Sequence, residues 1–310
     1  MREDLRMKKA PVQLWIVGSV GIDDIKTRTD DRKNLLGGSV PYSTVAASYF
    51  VKPGAVGVVG TDFPAVFERR WRRFGINLDG LQREAGETFR WACAYDDNMI
   101  ERTTLDTRLG VFAAFKPVLP ETYKAAPFVL LGNIQPELQM HVLKQASGAK
   151  FVALDTMNLW IDTALPALKR VMRKVDLFTV NDGEARQLTG KWNLLDCAAA
   201  IRKMGPRYVI IKKGEHGALL VSEKGVFIVP AYPVRKLTDP TGAGDSYAGA
   251  MMGYLAKAGK VTERLMREAL VHASAIASFG VEGFSIECFE KLTARMIRDR
   301  VRELTKMMTV

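Results

Sequence analysis

Short runs of consecutive apolar residues alternate with longer stretches in which apolar positions recur every three or four residues. The runs Leu14 to Gly18, Ala55 to Val59, Phe128 to Leu131, Phe151 to Leu154, Leu177 to Val180 and Tyr208 to Ile211 are too short for helices and predict buried strands. Between them, Tyr42 to Phe50, Pro64 to Phe74, Glu137 to Ala146, Ala164 to Lys174 and Asp196 to Met204 predict helices. Such alternation predicts an α/β fold with a mainly parallel sheet covered on both faces. The last third turns helical, over Gly244 to Ala258, Thr262 to Ser278 and Cys288 to Leu304.

One segment has a different period. Phe89, Trp91, Cys93 and Tyr95 alternate with Arg90, Ala92 and Ala94, Asp96-Asp97-Asn98 is a turn cluster, and Met99 to Thr104 returns as a second strand. This predicts a β-hairpin with one apolar face inserted into the α/β chain. The extended polar stretch Asp23 to Leu36 is suited to pair with it, giving a small separate sheet that serves as a lid.

The length of 310 residues suits two domains, or one large α/β domain with an insertion. Three widely spaced cysteines (Cys93, Cys197, Cys288) read as free thiols, and three scattered histidines (His141, His216, His272) argue against a His-based metal site or triad. The basic segment Met1 to Ala10 precedes an apolar run, Val12 to Val20. That run lacks a small-residue cleavage site and leads directly into Asp23 and Asp24, so it reads as a first strand, and no membrane segment follows. A cytoplasmic location is expected. The net charge is +11, but no basic–aromatic stripe accompanies it, so it reads as a solvated basic surface and no nucleic-acid partner is expected.

In an open parallel sheet, ligands bind beyond the carboxyl ends of the strands. Polar and glycine residues cluster after each predicted strand: Gly18 to Asp23, Asp155 to Asn158, Asn181 to Glu184 and Lys212 to Gly217. The strongest local signal is Asp239-Pro-Thr-Gly-Ala-Gly-Asp245-Ser, followed by a helix of small residues. Glycines before a helix leave backbone N–H groups aimed at one point, where the helix dipole adds positive charge. Asp245 is placed there either as an ordinary helix N-terminal acid or as a base that takes a proton from a hydroxyl nucleophile. Asn181 and Glu184 read either as a capping box or as a metal-organising pair. No phosphate-loop sequence G-x-x-x-x-G-K-[ST] is present, and Tyr247 stands where a dinucleotide fingerprint needs glycine.

The segment Asp239 to Ala250 resembles the C-terminal signature of the ribokinase-like (PfkB) carbohydrate kinases. Further similarities follow in family order: Gly18-Ser-x-x-x-Asp23, Gly37-Gly38 before a helix, Asn181-x-x-Glu184, Lys213-Gly214-x-x-Gly217, and the inserted hairpin as a lid. The resemblance implies a three-layer α/β/α sandwich with a core over 1–22, 37–83 and 107–310 and a β lid over 23–36 and 84–106. It implies ATP-dependent phosphorylation of a hydroxyl, usually a primary alcohol, on a sugar or sugar-like substrate, with Asp245 as base and the N–H groups of Gly242, Ala243 and Gly244 as anion hole. Asn181 and Glu184 would organise Mg²⁺ through water. Lys213, Gly214, Gly217, Thr241 and the region from Ala273 would meet the nucleotide. Asp23, Gly37, Gly38 and Tyr42 would meet the acceptor, with Asn133, Asp155 and Asn158 as further pocket residues or helix caps. Asp239, Thr241 and Gly283 are candidates for a monovalent cation such as K⁺.

Tyr42 departs from the family pattern, in which Asn is common there, and so bears on acceptor choice. A nucleoside kinase, a myo-inositol kinase and a catalytically silent binding protein remain the alternatives. The lid aromatics Phe89, Trp91 and Tyr95 read as lid core or a homodimer contact ahead of substrate stacking. Arg90 reads as a solvated arginine, with an acidic acceptor as its alternative partner.

Overall fold

A computed structural model describes residues 11–309 of the chain; the basic Met1 to Ala10 segment lies outside them. The strands are β1 (Leu14–Val17), β2 (Gly21–Lys26), β3 (Asp31–Gly37), β4 (Gly54–Val59), β5 (Asn77–Arg83), β6 (Phe89–Tyr95), β7 (Arg102–Arg108), β8 (Phe128–Leu131), β9 (Phe151–Asp155), β10 (Leu177–Asn181), β11 (Tyr208–Lys212), β12 (Ala218–Ser222) and β13 (Gly225–Val229). The helices are α1 (Ser39–Ser48), α2 (Ala65–Arg73), α3 (Glu121–Lys124), α4 (Pro136–Leu143), α5 (Asn158–Thr163), α6 (Leu165–Met172), α7 (Asp182–Thr189), α8 (Leu194–Arg202), α9 (Ala243–Ala258), α10 (Glu263–Gly280), α11 (Glu287–Glu290) and α12 (Ala294–Met307).

Nine strands form one sheet in the order β13-β12-β11-β10-β9-β8-β1-β4-β5. It is parallel from β11 through β5, with β12 and β13 added as an antiparallel edge. The period of two divides its side chains between two cores. Leu14, Ile16, Phe128, Leu130, Phe151 and Ala153 join one cluster, which contains the buried faces of α1, α9 and α10. Trp15, Val17, Val129, Leu131, Val152 and Leu154 join the other, with α6 and α8. Strands buried on both faces are therefore apolar at every position, which is why they were legible as short runs.

The second sheet has the order β3-β2-β6-β7, with β2 and β6 parallel and both outer pairs antiparallel. Its strands begin at Gly21 and end at Arg108, slightly beyond the expected lid bounds. The Asp23 to Leu36 stretch is a hairpin of two strands, closed where Thr27 N–H donates to the Asp30 carbonyl at 2.8 Å. The return strand after the aromatic one starts at Arg102, not Met99. Asp96 Oδ1 accepts the N–H groups of Ile100 and Glu101 at 2.8 and 3.1 Å, and Met99 takes a left-handed φ of 60°, so those residues are used in the turn.

The expected helix from Cys288 to Leu304 is broken. α11 ends at Glu290, and Thr293 caps α12 by accepting the Met296 N–H at 3.3 Å. β5, β12 and β13 had no counterpart in the pattern. β5 and β13 are the sheet's edge strands, and their exposed faces carry residues that dilute the apolar signal.

Candidate active site

The site lies where the carboxyl ends of the central strands meet the N-termini of α1 and α9. Ser19 and Ser39 tie the end of β1 to the start of α1 reciprocally, each N–H donating to the other's hydroxyl at 3.1 Å. This fixes Gly37-Gly38. Gly38 has a φ of 89°, and a Cβ there would meet the Ser19 backbone. Any side chain on Gly37 would collide with the Asp23 carboxylate. The Gly38 N–H donates to Asp23, whose Oδ1 is buried without a partner. Burial, reinforced by Asp239, pushes the Asp23 carboxyl up to about 8. An unsatisfied buried carboxyl oxygen is a hydrogen-bonding site for a ligand hydroxyl.

α9 starts at Gly242, whose φ of 75° is left-handed. A Cβ there would run into the Tyr42 ring, so glycine is required twice over. The close approach of α1 to α9 sets this position: a side chain on Gly249 would strike the Ser43 backbone, and one on Gly253 the Ala47 backbone. The Ala243 N–H donates to the Pro240 carbonyl at 3.2 Å. Of the three expected anion-hole donors, this one has a backbone partner in the structure. Among the described residues, no hydrogen bond takes the N–H groups of Gly242, Gly244 or Asp245, so the cradle includes Asp245's own amide.

Asp245 is half-buried at this helix start. Burial, with Asp155 nearby, raises its carboxyl to about 7, although Lys212 and Arg102 pull the other way. Tyr42 lies beneath Gly242 at 2% exposure, with its hydroxyl buried and unpartnered. Burial, together with Asp239 and Asp23, raises its phenol well above the ordinary value.

A charged group that sequence reasoning missed stands beside the cradle. Lys212, the last residue of β11, places its Nζ 3.0 Å from Asp155 Oδ1, and Thr179 Oγ1 donates to the same oxygen at 2.6 Å. A Cβ on Gly244 would lie 3.1 Å from that Nζ. The signal was available: Phe151, Ala153, Leu177 and Ile210 face the core that contains α9, so Asp155, Thr179 and Lys212 share that face by parity. Arg102, on the lid strand β7 and stacked over Trp91, also bears on Asp245 and Glu184.

Asn181 and Glu184 form a reciprocal capping box: Glu184 N–H donates to Asn181 Oδ1 at 2.7 Å and Asn181 N–H to Glu184 Oε2 at 2.8 Å. Glu184 Oε1 takes no part in it. Burial raises the Glu184 carboxyl to about 7 against the pull of Lys212. Among the described residues, no three His, Cys, Asp or Glu side chains converge as a metal cage. The donors are all oxygens with one carboxylate presented, which fits a hydrated Mg²⁺ but not a soft metal.

The remaining expected residues divide. Gly214 has a φ of 54° with open space where a Cβ would be, and it begins a short 3₁₀ turn through His216. The Lys213 N–H closes that turn on the Gly217 carbonyl at 2.8 Å. Gly217 presses against the strand β13 backbone. Ala273 is fully buried in the core and presents no surface. Asn133 is engaged, accepting from Trp160 Nε1 at 2.8 Å and donating to Met157 Sδ at 3.1 Å, while Asn158 is an exposed first residue of α5.

Asp239 Oδ1 accepts the Thr241 N–H at 2.8 Å, and its Oδ2 is buried and unpartnered. The Thr238 and Asp239 N–H groups both reach the Val281 carbonyl, which brings this segment to the turn that contains Gly283. Of the lid aromatics, Tyr95 touches the loop, its hydroxyl 3.0 Å from Thr241 Oγ1, whereas Trp91 packs on the lid's own small core. Arg90 donates to Asn34 Oδ1 at 3.1 Å within the lid.

A large parallel sheet, a small sheet closing over its rim and an acid at a glycine-started helix define a small-molecule kinase, a phosphotransferase with an alcohol group as acceptor. Residues 22–286 match the pfkB family of carbohydrate kinases, and the chain belongs to that family. An aminoimidazole riboside kinase of Salmonella typhimurium is 34% identical over 295 residues, 88% of this chain and 90% of the relative. A cytidine kinase of Thermococcus kodakarensis is 27% identical over 270 residues, 84% of this chain and 95% of the relative. The fold is shared with an Arabidopsis thaliana ribokinase complexed with ribose and ATP, at a TM-score of 0.76 and 21% identity over 95% of this chain and 99% of that one. Kinases of this family use ATP with Mg²⁺. No helix among the described residues is long and apolar enough to cross a membrane.

Proposed function

We propose that the chain transfers the γ-phosphoryl group of ATP to a primary hydroxyl of a small sugar or sugar-like substrate. The observation that carries this reading is Asp245 beside unpaired N–H groups at the glycine-started end of α9. A carboxylate there takes the acceptor's proton while the amides stabilise charge on the transferring group. Asp23, with its free buried oxygen and Gly37-Gly38 beneath it, holds acceptor hydroxyls. Tyr42 bounds the same pocket. Gly214, Lys213, Gly217 and Thr241 border the nucleotide, and Glu184 with Asn181 would hold Mg²⁺ through water. The ion, when bound, neutralises phosphate charge.

The unpartnered Asp239 oxygen, near Thr241 and Gly283, supports a monovalent-cation site. The wholly exposed β7 supports pairing of two chains through the lid. Free cysteines support the expected cytoplasmic setting.

A nucleoside acceptor is the second reading, favoured by the cytidine and aminoimidazole riboside kinases among the relatives. Proton-coupled ³¹P NMR of the product separates the outcomes. A monoester split into a triplet by a methylene identifies a primary alcohol; a doublet places the phosphate on a secondary one. Running ribose beside cytidine decides between sugar and nucleoside.

A further inference from the structure

We propose that the cleft between the C-terminal ends of α6 and α8, at the pole of the molecule opposite the active site, binds the phosphate group of a small phosphomonoester. The inference is independent of the kinase reading above.

The cleft has a volume of about 440 Å³ and is lined by Lys169, Arg173, Lys203, Met204 and Gly205. Lys169 and Arg173 stand one turn apart at the end of α6, and Lys203 is the residue that closes α8. Main-chain contact brings the two helix ends together. Gly205 has a φ of 145°, and a Cβ there would meet the Met172 carbonyl at 2.5 Å. Only glycine lets the turn after α8 lie on the end of α6, so the three cations share one space because the backbone is built that way.

The protein leaves these charges unneutralised. Among the described residues, none of the three side chains makes an ion pair or a hydrogen bond. Lys169 and Arg173 are like charges at i and i+4, which repel. The two helix C-termini contribute about half a negative charge each, which leaves an excess of about two positive charges. Asp176, the acid at this pole, is committed to Arg207 at 3.2 Å and to the Val152 N–H at 2.9 Å. Lys150 and Lys174, just ahead of β9 and β10, strengthen the positive field. A second cleft, of about 380 Å³, is the internal contrast. It is lined by Glu263, Arg264, Arg267 and Glu268, and there each arginine has its acid, Arg264 with Glu268 at 2.8 Å and Arg267 with Glu263 at 3.8 Å.

A phosphomonoester carries nearly two negative charges at neutral pH and offers three acceptor oxygens. That matches both the excess charge and the number of cationic side chains. The volume leaves room for a small polar body beyond the phosphate. None of the lining residues is aromatic, so a nucleic-acid base has no ring to stack on.

The test titrates the full chain with ribose 5-phosphate by calorimetry, with Mg·ADP at saturation so that the nucleotide cradle is filled. Amide hydrogen exchange over residues 169–174 and 202–206 locates the binding. Ribose 5-phosphate should slow exchange in both segments, and ribose should not. The triple variant Lys169→Gln/Arg173→Gln/Lys203→Gln should keep the wild-type melting temperature and kcat. It should lose that protection, with affinity at the cleft falling at least about 10-fold. Lys169→Arg, which keeps the charge, should retain the protection. Protection that survives in the triple variant, or none in the wild type, would overturn the proposal. Equal protection by inorganic phosphate would reduce the site to an adventitious ion only. Tighter binding of 5′-phosphorylated single-stranded DNA, with a steep salt dependence, would overturn it in favour of a nucleic-acid surface.

Discussion

A carboxylate at a helix N-terminus is ordinarily stabilised by the dipole and stays ionised. Asp245 is pushed up to about 7 instead, by burial and by Asp155. A base with that value is half-ionised near neutrality, where it is ionised often enough to act and basic enough to take a proton. Because the ionised form is the active one, kcat/KM should rise with pH through about 7 and level off above it; a flat profile from pH 6 to 8 would remove Asp245 from the proton transfer. Asp245→Asn should fold, keep its Mg·ATP affinity and lose about 10²- to 10⁴-fold in kcat. Tyr42→Phe separates two roles of that side chain. Removing an unpartnered buried hydroxyl leaves stability unchanged or raised, since no hydrogen bond is lost. A raised acceptor KM at constant ATP KM would then place the phenol against the acceptor, and unchanged kinetics would leave the ring only its packing beneath Gly242.

At the scale of elements, the site depends on how closely α1 and α9 approach. Gly249→Ala forces a methyl into the Ser43 backbone and should cost about 1–3 kcal/mol, read as a lowered denaturation midpoint. It should also lower kcat, because α9 carries the cradle. Loss of stability with kcat intact would show that the cradle is set locally by Gly242. The capping box of α7 offers a cleaner separation. Glu184→Gln keeps a carbonyl oxygen to accept the Asn181 N–H but removes the charge. It should raise the Mg²⁺ concentration for half-maximal rate with little change in melting temperature, and an unchanged metal titration would leave Glu184 only its cap.

The parallel interior strands were legible in the sequence because burial on both faces makes each an unbroken apolar run, as in Phe128 to Leu131, whereas the antiparallel β12, equally buried, was not read. The edge strands β5 and β13 were not, since one side of each faces solvent and the other packs on a single neighbour. The motif residues Asp23, Gly37, Gly38 and Asp245 were readable as a set because they follow a family pattern in order, and of these the two glycines are also required by close approach to Asp23 and to the Ser19 backbone. Lys212 and Asp155 were harder to recognise as partners. Their meeting depends on the order of β9, β10 and β11 in the sheet, a relation across 57 residues that no local spacing encodes.

At the scale of the molecule, lid and core share one turn. Ser285 donates its hydroxyl to the Leu36 carbonyl at 2.6 Å, Phe284 packs with Ile25, Leu35 and Cys93, and Arg32 pairs with Glu287 at 2.8 Å. Just before it, the Val281 carbonyl accepts the Thr238 and Asp239 N–H groups. The lid and the Asp239 loop are thus joined through one turn.

The whole site also sets how stability responds to pH. Asp23, raised to about 8, and Asp245 and Glu184, raised to about 7, bind more protons folded than unfolded near neutrality. Stability therefore falls as pH rises toward 8. His272, lowered from 6.5 by burial, works in the opposite sense at the acid end, which confines the clear signal to about 6.5 to 8. The ligand-free melting temperature should drop by a few degrees across that window, and Asp23→Asn should flatten the slope; a rising melting temperature would contradict the buried acids.

The most direct test of the account is ADP release from Mg·ATP over a panel of sugars, polyols and nucleosides, with Asp245→Asn run beside the wild type. The account predicts turnover that depends on one acceptor class and falls at least about 10²-fold in the variant. Equal ADP release by the two proteins, or none from a folded wild type that binds ATP and is offered the full panel, would contradict it.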